Sequence, residues 1–191
     1  VFYKIGDAVA ASLQTAFLIG GLGFSVSEVG YVKGLGLAAT LIGALAGGVA
    51  MAKLGMVRSL LIFGLLQAVS NLGFMWLAWM GKSYAALTAS ILIENVTGGM
   101  GTAAFVALIM SLCDHRYTAT QFALLSSLEA LGRVFSGRPS ADLVELVGWT
   151  QFFLWSFLIA LPGIWLVWAL RAQLHQDAGR DATARAGSAD L

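Results

Sequence analysis

Apolar residues run almost unbroken through long stretches of this chain, with neither a two-residue nor a clean helical alternation against polar ones. LGLAATLIGALAGGVAMA (35–52) and SLLIFGLLQAVSNLGFMWLAWM (59–80) are examples. A strand of a membrane β-barrel alternates apolar and polar residues over about ten positions. A helix on the surface of a soluble domain carries a polar face. Neither fits these runs, whose length matches the roughly 20 residues a helix needs to cross a bilayer. Helices also satisfy their own backbone groups in lipid. The pattern predicts six spans, at about 1–20, 29–52, 59–80, 84–112, 120–141 and 149–171. Turn chemistry separates them: GGLGFSVSE (20–28), KLGMVR (53–58), MGKSY (80–84), CDHRYTAT (113–120) and ELVGWT (145–150). Gly137-Arg138-Pro139 predicts a break or kink near the end of the fifth helix.

Composition sharpens this to an all-α integral membrane protein. Apolar residues make up 59% of the 191 positions and charged ones 11%, against roughly 25% charged in a soluble domain. The balance of 11 Lys+Arg and 10 Asp+Glu leaves a net charge of +1, so no basic field is available for nucleic acid. The predicted domain division is a transmembrane bundle over 1–171 and a polar, cytoplasmic tail over 172–191 with too little apolar material to pack. Val1 is not a start methionine, and Phe2 and Tyr3 begin within apolar sequence. The expectation is therefore that the chain is the back part of a longer one.

Lys and Arg in short loops set orientation. Lys53, Arg58, Arg116, Arg171, Arg180 and Arg185 fall on one predicted side. Lys82 and Arg138 fall on the other, beside Glu28, Asp142 and Glu145. The tail and the loops at 53–58 and 113–120 are accordingly expected on the cytoplasmic side.

Ionisable and amide residues inside the spans point to function, because each charge costs about 2.5–3.5 kcal/mol to insert. The first helix carries Lys4, Asp7 and Gln14, and the second carries Lys33. The fourth carries Glu94 and Asn95, and the fifth Gln121, Glu129 and Arg133. The third has only Gln67 and Asn71, and the sixth has an uncharged middle rich in Trp. Charges thus occupy two helices and skip the next, twice over. That spacing suits two inverted three-helix repeats around a wet cavity, two helices of each lining it and one facing lipid. Lys4 with Asp7 (i, i+3) and Glu129 with Arg133 (i, i+4) can also neutralise each other locally, so a structural reading of each pair stands beside the functional one. Gln67 and Asn71 read as contacts between helices. The spacing Gly30/Gly34 and Gly43/Gly47 permits close helix approach or bending.

Enzyme chemistry has no foothold in these residues. His115 and His175 fall in a loop and the tail, and Cys113 is the single cysteine. No zinc-protease, nucleophile-elbow, phosphate-loop or dinucleotide motif occurs, so neither a metal nor a cofactor is expected.

Three strings together resemble one family: YKIGDAVAASLQTAFLI (3–19), ENVTGGMGTAAFVALIMSLC (94–113) and YTATQFALLSSLEALGRVF (117–135). They are similar to the C-terminal half of the AmpG-type muropeptide permeases of the major facilitator superfamily. The resemblance runs from Val1 to about Leu170. It implies six transmembrane helices forming the C-terminal bundle of a two-bundle transporter in the bacterial inner membrane. It implies proton-driven import of GlcNAc-anhydroMurNAc peptides for peptidoglycan recycling, linked to β-lactamase induction. The proton gradient would replace any cofactor, and the partners would be the muropeptide, the bilayer and an N-terminal six-helix half. Lys4 and Asp7, Glu94 and Asn95, Gln121 and Arg133 fall in the matching strings. Asp7 and Glu94 are the candidates for proton coupling. Lys4, Gln14, Lys33, Asn95, Gln121 and Arg133 are the candidates for substrate contacts. Two alternatives remain open: a facilitator-type transporter of another small solute, and an inactive membrane fragment.

Overall fold

A computed structural model describes residues 2–111, 113, 118–169 and 171, and nearly all of them are helical. Helix α1 spans Phe2–Ala16 and ends in a wider π turn, Phe17–Gly21, in which the Leu22 N–H donates to the Phe17 carbonyl at 3.0 Å. Helix α2 (Val26–Leu54) opens with a reciprocal cap. The Ser25 hydroxyl accepts from the Glu28 N–H, and the Glu28 carboxylate accepts from the Ser25 N–H. That exchange satisfies two donors a helix start otherwise leaves orphaned. Helix α3 is Met56–Met80 and α4 is Tyr84–Ser111. The helical stretch Thr118–Ala169 is interrupted at Gly148, with φ +78° and ψ 169°. It therefore counts as two helices, α5 (118–147) and α6 (149–169).

The all-helical expectation holds, with two corrections. The fifth helix does not break at Gly137–Pro139; it runs through Pro139 to the Gly148 joint. Proline removes one backbone donor, and a membrane helix can carry that loss when neighbouring groups re-satisfy the freed carbonyl. The basic 53–58 loop is also shorter than expected, because α2 and α3 are joined by Gly55 alone, at φ +80°. Among the described residues, four stretches are long and apolar enough to cross a membrane: Val26–Leu54, Met56–Met80, Tyr84–Ser111 and Pro139–Ala169. Ala119–Leu128 is a shorter apolar stretch. The predicted tail, 172–191, lies outside the described residues, as do Arg116 and His115 in the 113–120 loop.

Packing explains the order of the helices. α2 lies along α4, α1 lies along α6, and α3 packs against both α4 and α6. Lipid is as apolar as a leucine side chain, so helices in a membrane associate through close van der Waals contact, for which small residues are needed. A methyl group added at Gly47 would sit 2.8 Å from the Met100 Cα, and at Gly6 2.6 Å from the Ala160 Cβ. Gly43 and Gly99 meet carbonyl oxygens of the facing helix, those of Val96 and Thr40, more closely still. The Gly43/Gly47 pair is thus a packing device, whereas Gly30 and Gly34 face open space.

Two apolar clusters sit at opposite ends of the bundle. One gathers Phe17, Phe24, Phe74, Leu77, Leu87, Phe152 and Phe153 among others. The other gathers Leu60, Phe63, Ala104, Phe105, Ile109 and Val167, with Cys113 packed against it. Between them α3 contributes Gln67 and Asn71, and α4 contributes Glu94, Asn95 and Thr102. The polar residues thus form a belt across the middle. α3 turns Leu65, Val69 and Trp76 outward and buries Gln67, Ser70 and Asn71 on its other face.

Candidate proton and substrate site

Helix geometry brings the predicted residues of α1, α2 and α4 into one region. Lys4 is buried, and its ammonium lies 3.5 Å from Asp7 Oδ2 one turn along α1. The same ammonium donates to Thr102 Oγ1 at 3.2 Å and, at the long distance of 3.4 Å, to Gln67 Oε1. The cation therefore ties α1 to α3 and α4 as well as neutralising Asp7. The i, i+3 spacing foretold the pair, and the two cross-helix acceptors account for its depth.

Glu94 has a different kind of partner. The Gln14 amide on α1 donates to Glu94 Oε2 at 2.8 Å. Among the described residues no cation lies within ion-pair distance of Glu94. Lys33 on α2 donates instead to the Thr15 hydroxyl at 2.6 Å, and it is half-buried with no carboxylate partner among the described residues. Asn95 is engaged in packing: its Oδ1 accepts from Thr40 at 2.8 Å, and its Nδ2 donates to the Ile91 carbonyl at 2.7 Å. Gly36 makes room for that amide, which lies 2.9 Å from where a Cβ would stand. Gln121 is half-buried on α5. The side chains of Glu129 and Arg133, and with them the predicted ion pair, lie outside the described residues.

Sequence reasoning passed over the threonines that complete these contacts, Thr15, Thr40 and Thr102. Hydroxyls scattered in apolar helices were the available signal, since Ser and Thr commonly hydrogen-bond between membrane helices. It also passed over a clamp at the far end of the bundle. There Lys82 donates to the Gly23 carbonyl at 2.8 Å, lies 3.6 Å from the Glu28 carboxylate and sits 5.0 Å over the Phe24 ring. The Tyr84 hydroxyl donates to the same carboxylate. This binds the α3–α4 turn to the start of α2.

An anhydromuropeptide permease of Escherichia coli K12 is 51% identical over 176 residues, 92% of this chain and 36% of its own length. The chain is a homologue of the AmpG-type permeases. A Rickettsia felis protein named AmpG 4 is 36% identical over 176 residues, again 92% of this chain and 42% of its own length. The chain thus spans well under half the length of the AmpG-type relatives it matches. No family model matches it. Its relatives are named as permeases and transporters, and its long apolar helices are those of a multi-pass membrane protein.

Proposed function

We propose that this chain is the C-terminal six-helix bundle of a proton-coupled muropeptide importer of the bacterial inner membrane. It would be built as two inverted three-helix repeats and paired with an N-terminal bundle. The cargo would be GlcNAc-anhydroMurNAc peptides released from peptidoglycan, whose recycling feeds β-lactamase induction. The polar belt at the junction of α1, α2 and α4 carries this reading. It combines two acidic groups with a half-buried cation and several amides in a bundle whose outward faces are apolar. The C-terminus and the Gly55 joint would face the cytoplasm, on the side rich in Lys and Arg.

In this scheme Glu94 and Asp7 are the proton-coupling carboxyls. A proton entering the Glu94 carboxylate converts an acceptor for the Gln14 amide into a neutral acid, which weakens the charge-assisted bond from α1 to α4. Such a change biases the open side of the transporter when the two states differ in proton affinity. Asp7 gives up Lys4 in the same way. Lys33 meets a peptide carboxylate of the cargo, with Gln14 beside it for sugar hydroxyls. Lys4, Asn95, Gln121 and Arg133 complete the candidate contacts on the strength of the matching strings. Rocking of two bundles about this belt supplies alternating access.

The test joins this chain behind the N-terminal bundle of the E. coli relative and follows radiolabelled anhydromuropeptide into energised vesicles. Uptake abolished by a protonophore supports import and coupling together. Uptake indifferent to it removes the coupling. Absence of uptake by inserted protein assigns the fold to another solute.

A further inference from the structure

A small cavity is lined by Asp7, Gly64, Gln67, Ala68, Asn71, Ala160 and Ile164. All of these belong to α1, α3 and α6. The centre of a water molecule has about 10 Å³ in which to move there, about the minimum that holds one water. Asn71 is 1% exposed, and neither its Nδ2 nor its Oδ1 has a hydrogen-bond partner among the described residues. Leaving a buried donor or acceptor unmade costs about 1–3 kcal/mol each. An amide with both unmade beside a water-sized space and a carboxylate is the arrangement that binds a water. Such a water needs two to four polar partners, and Asn71, Asp7 and Gln67 border the same space.

We propose that this cavity is a water-binding site in which one water bridges the Asn71 amide to the Asp7 carboxyl. Asn71 is then a positioning residue for Asp7, acting through that water. The carboxyl is held from two directions, by the Lys4 ammonium on Oδ2 and by the water from the α3–α6 side. The site also gives the polar midsection of α3 a purpose: Gln67 serves Lys4, and Asn71, one turn on, serves Asp7. None of this depends on the transported solute, so the site stands or falls separately from the transport reading.

The test uses the full chain in lipid. A crystal structure grown from a lipidic mesophase should show a density peak within hydrogen-bond distance of both Asn71 and Asp7; a map with ordered waters elsewhere and none there overturns the proposal. Asn71→Val and Asn71→Ser give an independent reading by thermal melting in nanodiscs. With the water bound, Asn71→Val melts about 2–4 °C lower, and Asn71→Ser, which keeps a donor and an acceptor, stays close to the parent. An Asn71→Val protein that melts higher than the parent means the amide was a buried liability with no water, and the proposal fails.

Discussion

Asp7 and Glu94 are both carboxylates in the middle belt of an apolar bundle, yet they are held in different ways. Asp7 faces a buried ammonium that also reaches α3 and α4, so its charge is part of what fixes three helices together. Glu94 is held by a neutral amide, and the nearby Lys33 is occupied by a threonine hydroxyl. A charge matched by a countercharge in low dielectric is costly to disturb from either side. A charge matched by an amide can change protonation while its partner remains satisfied, because a carboxylic acid still offers an acceptor oxygen. Under the proposed function Glu94 exchanges its proton more readily than Asp7, whose protonation also has to release Lys4.

The largest effect should come from Lys4→Met, which leaves Asp7 without its cation. A loss of about 3 kcal/mol is expected, read as a lower melting temperature of the protein in nanodiscs, and Lys4→Met with Asp7→Asn should recover most of it. If the single variant melts like the parent, the pair is not structural. Next comes the scaffold that carries the Glu94 side. Gly43→Ala forces a methyl against the Val96 carbonyl and should cost about 1–3 kcal/mol. Gly34→Ala on the open part of α2 should stay within about 0.5 kcal/mol, and equal costs at the two positions would dissolve that distinction. The smallest change in stability belongs to Glu94→Gln, under about 1 kcal/mol, since an amide pair can replace the amide–carboxylate bond. In the complete transporter the same variant should abolish proton-driven accumulation while cargo still binds, as measured by equilibrium binding beside vesicle uptake. Accumulation that survives Glu94→Gln leaves Asp7 as the single coupling carboxyl.

Much of this was legible along the chain because the bilayer makes such strong demands. Long apolar runs and glycine-rich breaks announced the helices, and the Lys4–Asp7 spacing announced its ion pair. The Gly43/Gly47 spacing left close packing and bending both open, and its twin at Gly30/Gly34 carries the same spacing with no close neighbour among the described residues. Only the facing helix separates the two. Pro139 misled for a related reason, since a proline's cost depends on what its neighbours can repair. Asn71 read as a contact between helices, and it instead borders a cavity, its amide without a hydrogen-bond partner among the described residues. Spacing tells which residues share a helix face, whereas partners on other helices decide what each residue does there.

The joints at Gly55, Gly81 and Gly148 share a backbone conformation, with φ between +78° and +80°. At Gly55 and Gly148 the chain passes from one helix into the next through that single residue. A protease needs several residues of extended backbone to close on, and an epitope tag needs a loop in which to sit. Neither joint offers one. Limited digestion should therefore leave α2–α3 and α5–α6 as uncut pairs, and membrane topology is better mapped by single-cysteine labelling at Lys53 and Lys82 in a background where Cys113 is replaced.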